Sequence, residues 1–213
     1  SVMTSILGEY SFNNDAFEAA IKYKMETLKL IEQLLLTKEN VRVDSLNLGI
    51  VNIQIAETYI KMKQFDRALL YLKIFEKKKT SNIAQITAAK VYNDYIMVYL
   101  GLNNLDSANA SFNKLKLIAQ KEPLLNEEVS VANNNFAEYY LQNKQTDVAL
   151  KFNKQAQLFA EKNIKLSPKF NENYTQAKLA YAQGKHYDAI AYLNKCLPMA
   201  HSLGKIEYAN VNR

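Results

Sequence analysis

The chain predicts an all-α fold of antiparallel helix hairpins stacked one on the next as an α-solenoid. Three observations carry this. Alanine heads the same short pattern five times: Ala68, Ala108, Ala149 and Ala189 stand 40, 41 and 40 residues apart, and Ala20 precedes them by 48. The text around four of them is alike (KMKQFDRALLYL, GLNNLDSANASF, QNKQTDVALKFN, AQGKHYDAIAYL), and a tyrosine recurs upstream at Tyr59, Tyr99 and Tyr140. Among 213 residues only 5 are Gly and 3 are Pro, so long segments run unpunctuated and favour helix over many short strands. A period of this length marks stacked supersecondary units, each too small to bury a core of its own.

Apolar spacing and stop signals place the helices. Phe12 to Leu36 reads as one long helix, with Phe17, Ala20, Ile21, Met25, Leu28 and Ile31 on one face. Val41 to Met62 follows, then Phe65 to Lys78 beyond a turn at Lys63-Gln64. Thr80, Ser81 and Asn82 offer N-cap oxygens to a helix reaching Leu100, and Gly101 with Asn103-Asn104 stops it. Leu105 to Lys121 is next. Pro123 stands where an opening helical turn has no use for its missing N–H, and that helix extends to Gln142. Thr146 to Lys162 follows. Ser167-Pro168 starts a helix to Gln183 that Gly184 ends. The last full helix opens at Ala189 and is kinked or ended by Pro198.

Short turns between these segments force antiparallel pairs of an A helix and a B helix. The chain then divides into an incomplete repeat over 1–40, repeats over 41–79, 80–122, 123–164 and 165–203, and the start of a further helix over 204–213. The recurrences have physical reasons. Ala56 and Ala137 on A helices, and the alanine series on B helices, remove bulk where the helices cross. The tyrosines fill space between successive hairpins. Leu72, Phe112 and Leu193, four residues after their alanines, share the inward B face.

At Ala56, Tyr59, Phe65 and Ala68, and again at Gly184 and Ala189, the chain resembles the tetratricopeptide repeat family. That pattern is a small residue and a tyrosine on helix A, a turn, then a large residue and an alanine on helix B. It covers roughly residues 41–203. Several positions depart from it: the repeat is about 40 residues and not 34, Thr146 stands for a large residue, and Ala180 stands for the tyrosine, with Tyr181 displaced by one. The resemblance implies a right-handed superhelix. The longer repeats are similar to those of bacterial signal-transduction and transcription regulators, where such an array is joined to a histidine kinase or a helix-turn-helix output domain.

The resemblance also implies a concave face lined by A helices. Carried onto this chain, the ligand-facing pattern falls on Ile53, Gln54, Glu57 and Lys61, then on Lys90, Asn93, Asp94 and Met97. It continues on Val131, Asn134, Asn135 and Glu138, and on Asn171, Tyr174, Thr175 and Lys178. A clamp for a peptide's terminal carboxylate needs basic or amide groups where Ile53, Glu57 and Asp94 stand, so that variant is rejected. Asn93, Asn134, Asn135 and Asn171 form a line of amides, and each amide can pair with a peptide backbone as donor and acceptor. The competing reading is composition alone, since Asn also crowds turns such as Asn13-Asn14 and Asn103-Asn104.

Composition excludes several function classes. The net charge is +6, but of 27 basic residues only Arg42, Arg67 and Arg213 are Arg, and readers of bases and phosphates lean on Arg forks. Lys77-Lys78-Lys79 falls at a helix end, where cations complement the dipole. Direct nucleic-acid binding is therefore not expected. A single Cys196 excludes an internal disulfide and a multi-cysteine metal site. Cys196 and His201 lie about 140° apart on an ideal helix and make no catalytic pair; Cys196 reads as a small core residue. His186 and His201 lack metal-ligand spacing. Glu127-Glu128 suits the opening turn of a helix. No phosphate loop is present, and no cofactor is expected. No apolar run reaches the roughly 18 residues of a membrane span.

The expected function is a non-catalytic protein- or peptide-binding module, the sensory or regulatory region of a bacterial regulator with an attached kinase or DNA-binding domain. The chain reads as excised from something longer, and a periplasmic sensor segment is favoured over a cytoplasmic one. The alternative is a stand-alone adaptor that assembles a complex. A further reading is end-to-end self-association through Ile6 and Leu7 at one end and Ile206 and Tyr208 at the other.

Overall fold

A computed structural model describes residues 2–36, 41–78, 84–160 and 166–203. Among these residues the fold is all-α, with ten α-helices, one 3-10 turn and no strand. The helices are α1 (Val2–Asn13), α2 (Phe17–Leu36), α3 (Val41–Lys61), α4 (Phe65–Lys78), α5 (Gln85–Gly101), α6 (Leu105–Ala119), α7 (Asn126–Gln142), α8 (Thr146–Ala160), α9 (Leu166–Ala182) and α10 (His186–Ser202). Odd-numbered helices are the A helices and even-numbered ones the B helices.

The expected single helix over Phe12–Leu36 is in fact two, parted by a turn at Asp15. The segment assigned to an incomplete repeat therefore forms a full hairpin, α1 with α2. Asn13-Asn14-Asp15 supplies the turn chemistry, because short polar side chains tolerate the left-handed backbone.

One turn recurs in all five hairpins. Asp15, Lys63, Asn103, Lys144 and Gly184 each take positive φ, at 57°, 56°, 55°, 58° and 74°, and each stands five residues before its register alanine. The N–H of the next residue reaches back to the carbonyls of Ser11, Tyr59, Tyr99, Tyr140 and Ala180 at 2.8–2.9 Å, which is the Schellman closure of a helix end. That same residue's carbonyl then accepts the N–H of Ala20, Ala68, Ala108, Ala149 or Ala189 at 2.9–3.1 Å. One turn thus ends the A helix and starts the B helix. Only Gly184 meets the left-handed backbone without a Cβ cost. Lys63→Gly and Lys144→Gly should each raise the unfolding free energy by about 0.5–1 kcal/mol. Urea denaturation checks this, and a fall in the midpoint would mean the lysine stems contribute more than the strain costs.

Gly101 has a different role from the expected helix stop. It is the last residue of α5, and a Cβ there would lie 2.4 Å from the Phe65 ring. The glycine lets α4 approach α5, and Asn103 makes the turn. Pro123 opens a 3-10 turn, Pro123–Leu125, ahead of α7, with Glu127 and Glu128 in the first turn of α7 as expected. His186, expected in a turn, is the first residue of α10. Pro198 does not end α10, which runs on to Ser202. The expected cap at Thr80-Ser81-Asn82 and the further helix over 204–213 lie outside the described residues.

The chain divides into two compact units, Ser1–Ser111 and Phe112–Arg213. In the first, α1 packs on α2, α2 on α3, and α3 and α4 on each other and on α5. Its core joins Ile55, Ala56, Ala68, Leu72 and Val98. In the second, α7, α8 and α9 pack mutually and α9 pairs with α10. Phe136 is fully buried there, 4.9 Å from the Phe152 ring and 5.3 Å from Phe112. All five register alanines are buried, as the close crossing requires.

Two of the three tyrosines behave differently from expectation, while Tyr99 of α5 packs, as expected, against the core of the preceding hairpin. Tyr59 stacks on Tyr71 and Tyr140 on Phe152, so these rings fill space within a hairpin and not between hairpins. The position three residues after the register alanine supplies the aromatic partner. On α2, Met25 is 40% exposed while Lys24 is buried. The buried stripe is Ala20, Lys24, Thr27 and Ile31, a spacing of four and three that keeps to one helix face.

Candidate functional site

The most informative polar groups lie at one repeat position. Four residues after the alanine, three hairpins hold Leu72, Phe112 and Leu193; the other two hold Lys24 and Asn153. Lys24 is 2% exposed and Asn153 0%. A buried charge or amide calls for partners; Lys24 has them, and Asn153 has them for its amide nitrogen but not for its Oδ1.

Lys24 Nζ on α2 lies 3.2 Å from Glu9 Oε1 of α1. It donates to Thr58 Oγ1 and to the Gln54 carbonyl of α3, at 3.2 and 3.4 Å, and sits 4.4 Å above the Phe12 ring. Glu57, one residue before Thr58, has its carboxyl pushed above the usual range. Burial is the main cause; Lys24, Lys90 and Lys61 oppose it, and Glu9 adds to it. The expected site residues Gln54, Glu57, Lys61 and Lys90 are therefore brought together. Glu57 is half-buried, and Lys61 and Lys90 are exposed around it. Gln54 also lines a cavity of about 290 Å³ between α1, α2 and α3.

Asn153 on α8 donates to Asn134 Oδ1 of α7 at 3.2 Å and to the Glu172 carbonyl of α9 at 3.4 Å. Beside this amide pair, Lys178 of α9 lies 2.9 Å from Glu138 Oε1 of α7 and 4.4 Å above the Tyr174 ring. Glu138, Tyr174, Lys178, Asn135 and Asn171 are all half-buried. The second unit thus assembles five of its expected residues on the α7–α9 face.

Other expected site residues are placed elsewhere. Asn93 and Asn134 are buried, and Asn134 spends its carbonyl on Asn153. The line of amides is consequently not presented as a ladder. Met97 packs against the core of the first unit, Ile53 belongs to that core, and Thr175 is buried. Asp94 and Val131 are half-buried. Each A helix is wedged between neighbours, so adjacent residues differ by a full step between core and surface.

Sequence reading missed Lys24, Glu9, Thr58 and Asn153. For Lys24 and Asn153 the signal was present: a polar residue at a register position that is otherwise Leu or Phe.

Cys196 is buried, its thiol facing the Phe170 carbonyl at 3.9 Å. Burial first, and then the Glu172 charge, push its pKa up to about 11. The thiol stays neutral at pH 7–8, so it should react with a thiol reagent far more slowly in native protein than in urea. Because the folded value lies above the unfolded one, its stabilising contribution is intact below the unfolded value and is lost as pH rises through about 11. Equal labelling rates in the two states would contradict the burial. Among the described residues no group of His, Cys, Asp and Glu could hold a metal ion, and no helix is long and apolar enough to cross a membrane.

The chain is similar in structure to BtubC (BKLC) from P. vanneervenii, solved by crystallography. The TM-score is 0.65, with 94% of this chain and 80% of that one covered, at 15% sequence identity. A likeness at that identity shows the fold alone. No protein-family profile matches the chain, and no curated protein matches it.

Proposed function

We propose that the chain is a non-catalytic protein- or peptide-binding module of the tetratricopeptide type, the regulatory segment of a bacterial signal-transduction or transcription regulator. The observation that carries the binding role is the pairing of two polar clusters with the A helices. In the first unit Lys61 and Lys90 surround a half-buried Glu57. In the second, Lys178 and Glu138 stand beside the Tyr174 ring. Such groups offer a peptide both charges and a flat ring, while the turns and alanines hold the helices that carry them. The regulator assignment rests on the repeat length and its resemblance, and the periplasmic placement belongs to that same reading.

Panning the full chain against a displayed peptide library tests the binding role. Enriched peptides should bind wild type, and Lys178→Glu or the pair Lys61→Glu with Lys90→Glu should weaken them at least tenfold, on the order of a lost charge-assisted contact. If no peptide is enriched, or if bound peptides ignore all of these changes, the reading fails.

A stand-alone adaptor is the second reading, and the presence of one cluster in each unit favours it, since two surfaces can hold two partners. The sequence of the parent protein on both sides separates the two readings. A kinase or DNA-binding domain there supports the regulator, and its absence supports the adaptor. End-to-end association remains a third arrangement: Val2, Met3, Ile6 and Tyr10 are exposed on α1, Leu7 is half-buried, and Ile206 and Tyr208 lie outside the described residues. Light scattering across concentration tests it.

A further inference from the structure

The second unit carries a cavity of about 600 Å³ between α6, α7 and α8. Its apolar wall is Phe112, Val129, Phe152 and Phe159, and its polar lining is Lys116, Lys151, Gln155 and Asn133. None of these eight residues is acidic. Val129 and Asn133 stand on the side of α7 away from Asn135 and Glu138, given about 100° per residue. This cavity is therefore separate from the peptide-binding face proposed above.

Its chemistry is selective. Three phenylalanines offer apolar area, and the volume falls within the roughly 300–1,000 Å³ range of small-molecule sites. Lys116 and Lys151 are exposed at the rim, and Lys116 Nζ lies 4.7 Å over the Phe112 ring, so one cation already leans across the apolar floor. The buried polar group is occupied: the Asn133 amide donates to the Val129 carbonyl at 2.8 Å. Nearby, Ser130 Oγ is likewise spent on the Ala156 carbonyl. The walls are helices whose backbone groups bond to one another. An extended peptide would bring backbone N–H and C=O groups that find few partners there, at a cost for each left unpaired. An apolar body with a single anionic head brings no such groups.

We propose that this cavity binds a free amphiphilic carboxylate: an aliphatic or aryl body against Phe112, Phe152 and Phe159, with its carboxylate between Lys116 and Lys151. The site's cations select the head and the phenylalanines accept the tail.

Calorimetric titration of the full chain with decanoate tests this, with decyltrimethylammonium as the same tail under the opposite charge. Decanoate should bind with Kd at or below about 1 mM. The cationic amphiphile should bind at least roughly tenfold more weakly, and the double variant Lys116→Gln, Lys151→Gln should lose about tenfold in decanoate affinity. Gln155→Trp, which places an indole across the opening, should abolish binding. Lys116, Lys151 and Gln155 are all exposed, and thermal melts should show each variant folded as wild type is. Equal binding of the two amphiphiles overturns the proposal, as does decanoate affinity unchanged by either variant. Absence of decanoate binding, alongside binding of a phenylalanine-containing acidic peptide that Gln155→Trp blocks, would make the cavity a peptide dock and also overturn it.

Discussion

Lys24→Ala should lower the unfolding free energy by about 2–5 kcal/mol, the range for truncating a long buried side chain and leaving a cavity behind. The substitution removes the ammonium that ties Glu9 of α1 to Thr58 of α3, although Glu9 is 44% exposed and Thr58 Oγ1 keeps its own bond to the Gln54 carbonyl at 2.7 Å. It also removes the stem that packs against Gly8, where an added Cβ would sit 3.0 Å from Lys24 Cγ. Lys24→Met keeps most of that volume and should cost less, and adding Glu9→Gln to it should change the stability by no more than about 1 kcal/mol, because Glu9 is 44% exposed and is hydrated once its partner is gone. Urea unfolding of the four proteins measures this. A loss of less than about 1 kcal/mol in Lys24→Ala, the range of exposed ion pairs, would mean that the ammonium group reaches water and that the three helices are not tied together by it.

Phe136→Ala should cost about 3–5 kcal/mol through lost burial and the cavity left behind. The ring is fully buried at the centre of an aromatic row in the second unit, with Phe112 on one side and Phe152 on the other, and Tyr140 stacked on Phe152 at 5.4 Å. Phe136→Leu keeps much of the volume and should lose markedly less. Unfolding curves for the two variants give the comparison. Equal losses would show that the site collapses around either replacement, and that the row is less closely packed than the ring distances indicate.

Both residues bear on what could be read in advance. Phe136 precedes Ala137, a residue expected at a helix crossing, but one step along a helix is about 100° of rotation, so that neighbour did not decide its burial. Lys24 lies one residue before Met25, which apolar counting put on the buried face. The repeat register decides correctly where hydropathy does not: Lys24 and Asn153 occupy the position of Leu72 and Phe112. Their polar heads then had to find partners on two neighbouring helices, and those partners cannot be named from one helix alone. The hairpin over residues 2–36 was obscured in a similar way. Asn13-Asn14 has turn composition, yet Asp15 carries the turn without a glycine or proline and the helix was read straight through it, although its place five residues before Ala20 matches Lys63 before Ala68.

By itself the sequence determined the all-α class, the period, the place of four of the five turns and the buried alanines. These depend on local backbone preference and on a spacing that repeats along the chain. Tertiary structure alone decided which A-helix side chains reach solvent. Asn93 and Asn134 are buried while Asn135, Glu138 and Lys178 remain accessible, because the rotation of each A helix is set by the two neighbours it wedges between. One residue along a helix is about 100° of rotation, enough to exchange a ligand-facing amide for a core hydrogen bond.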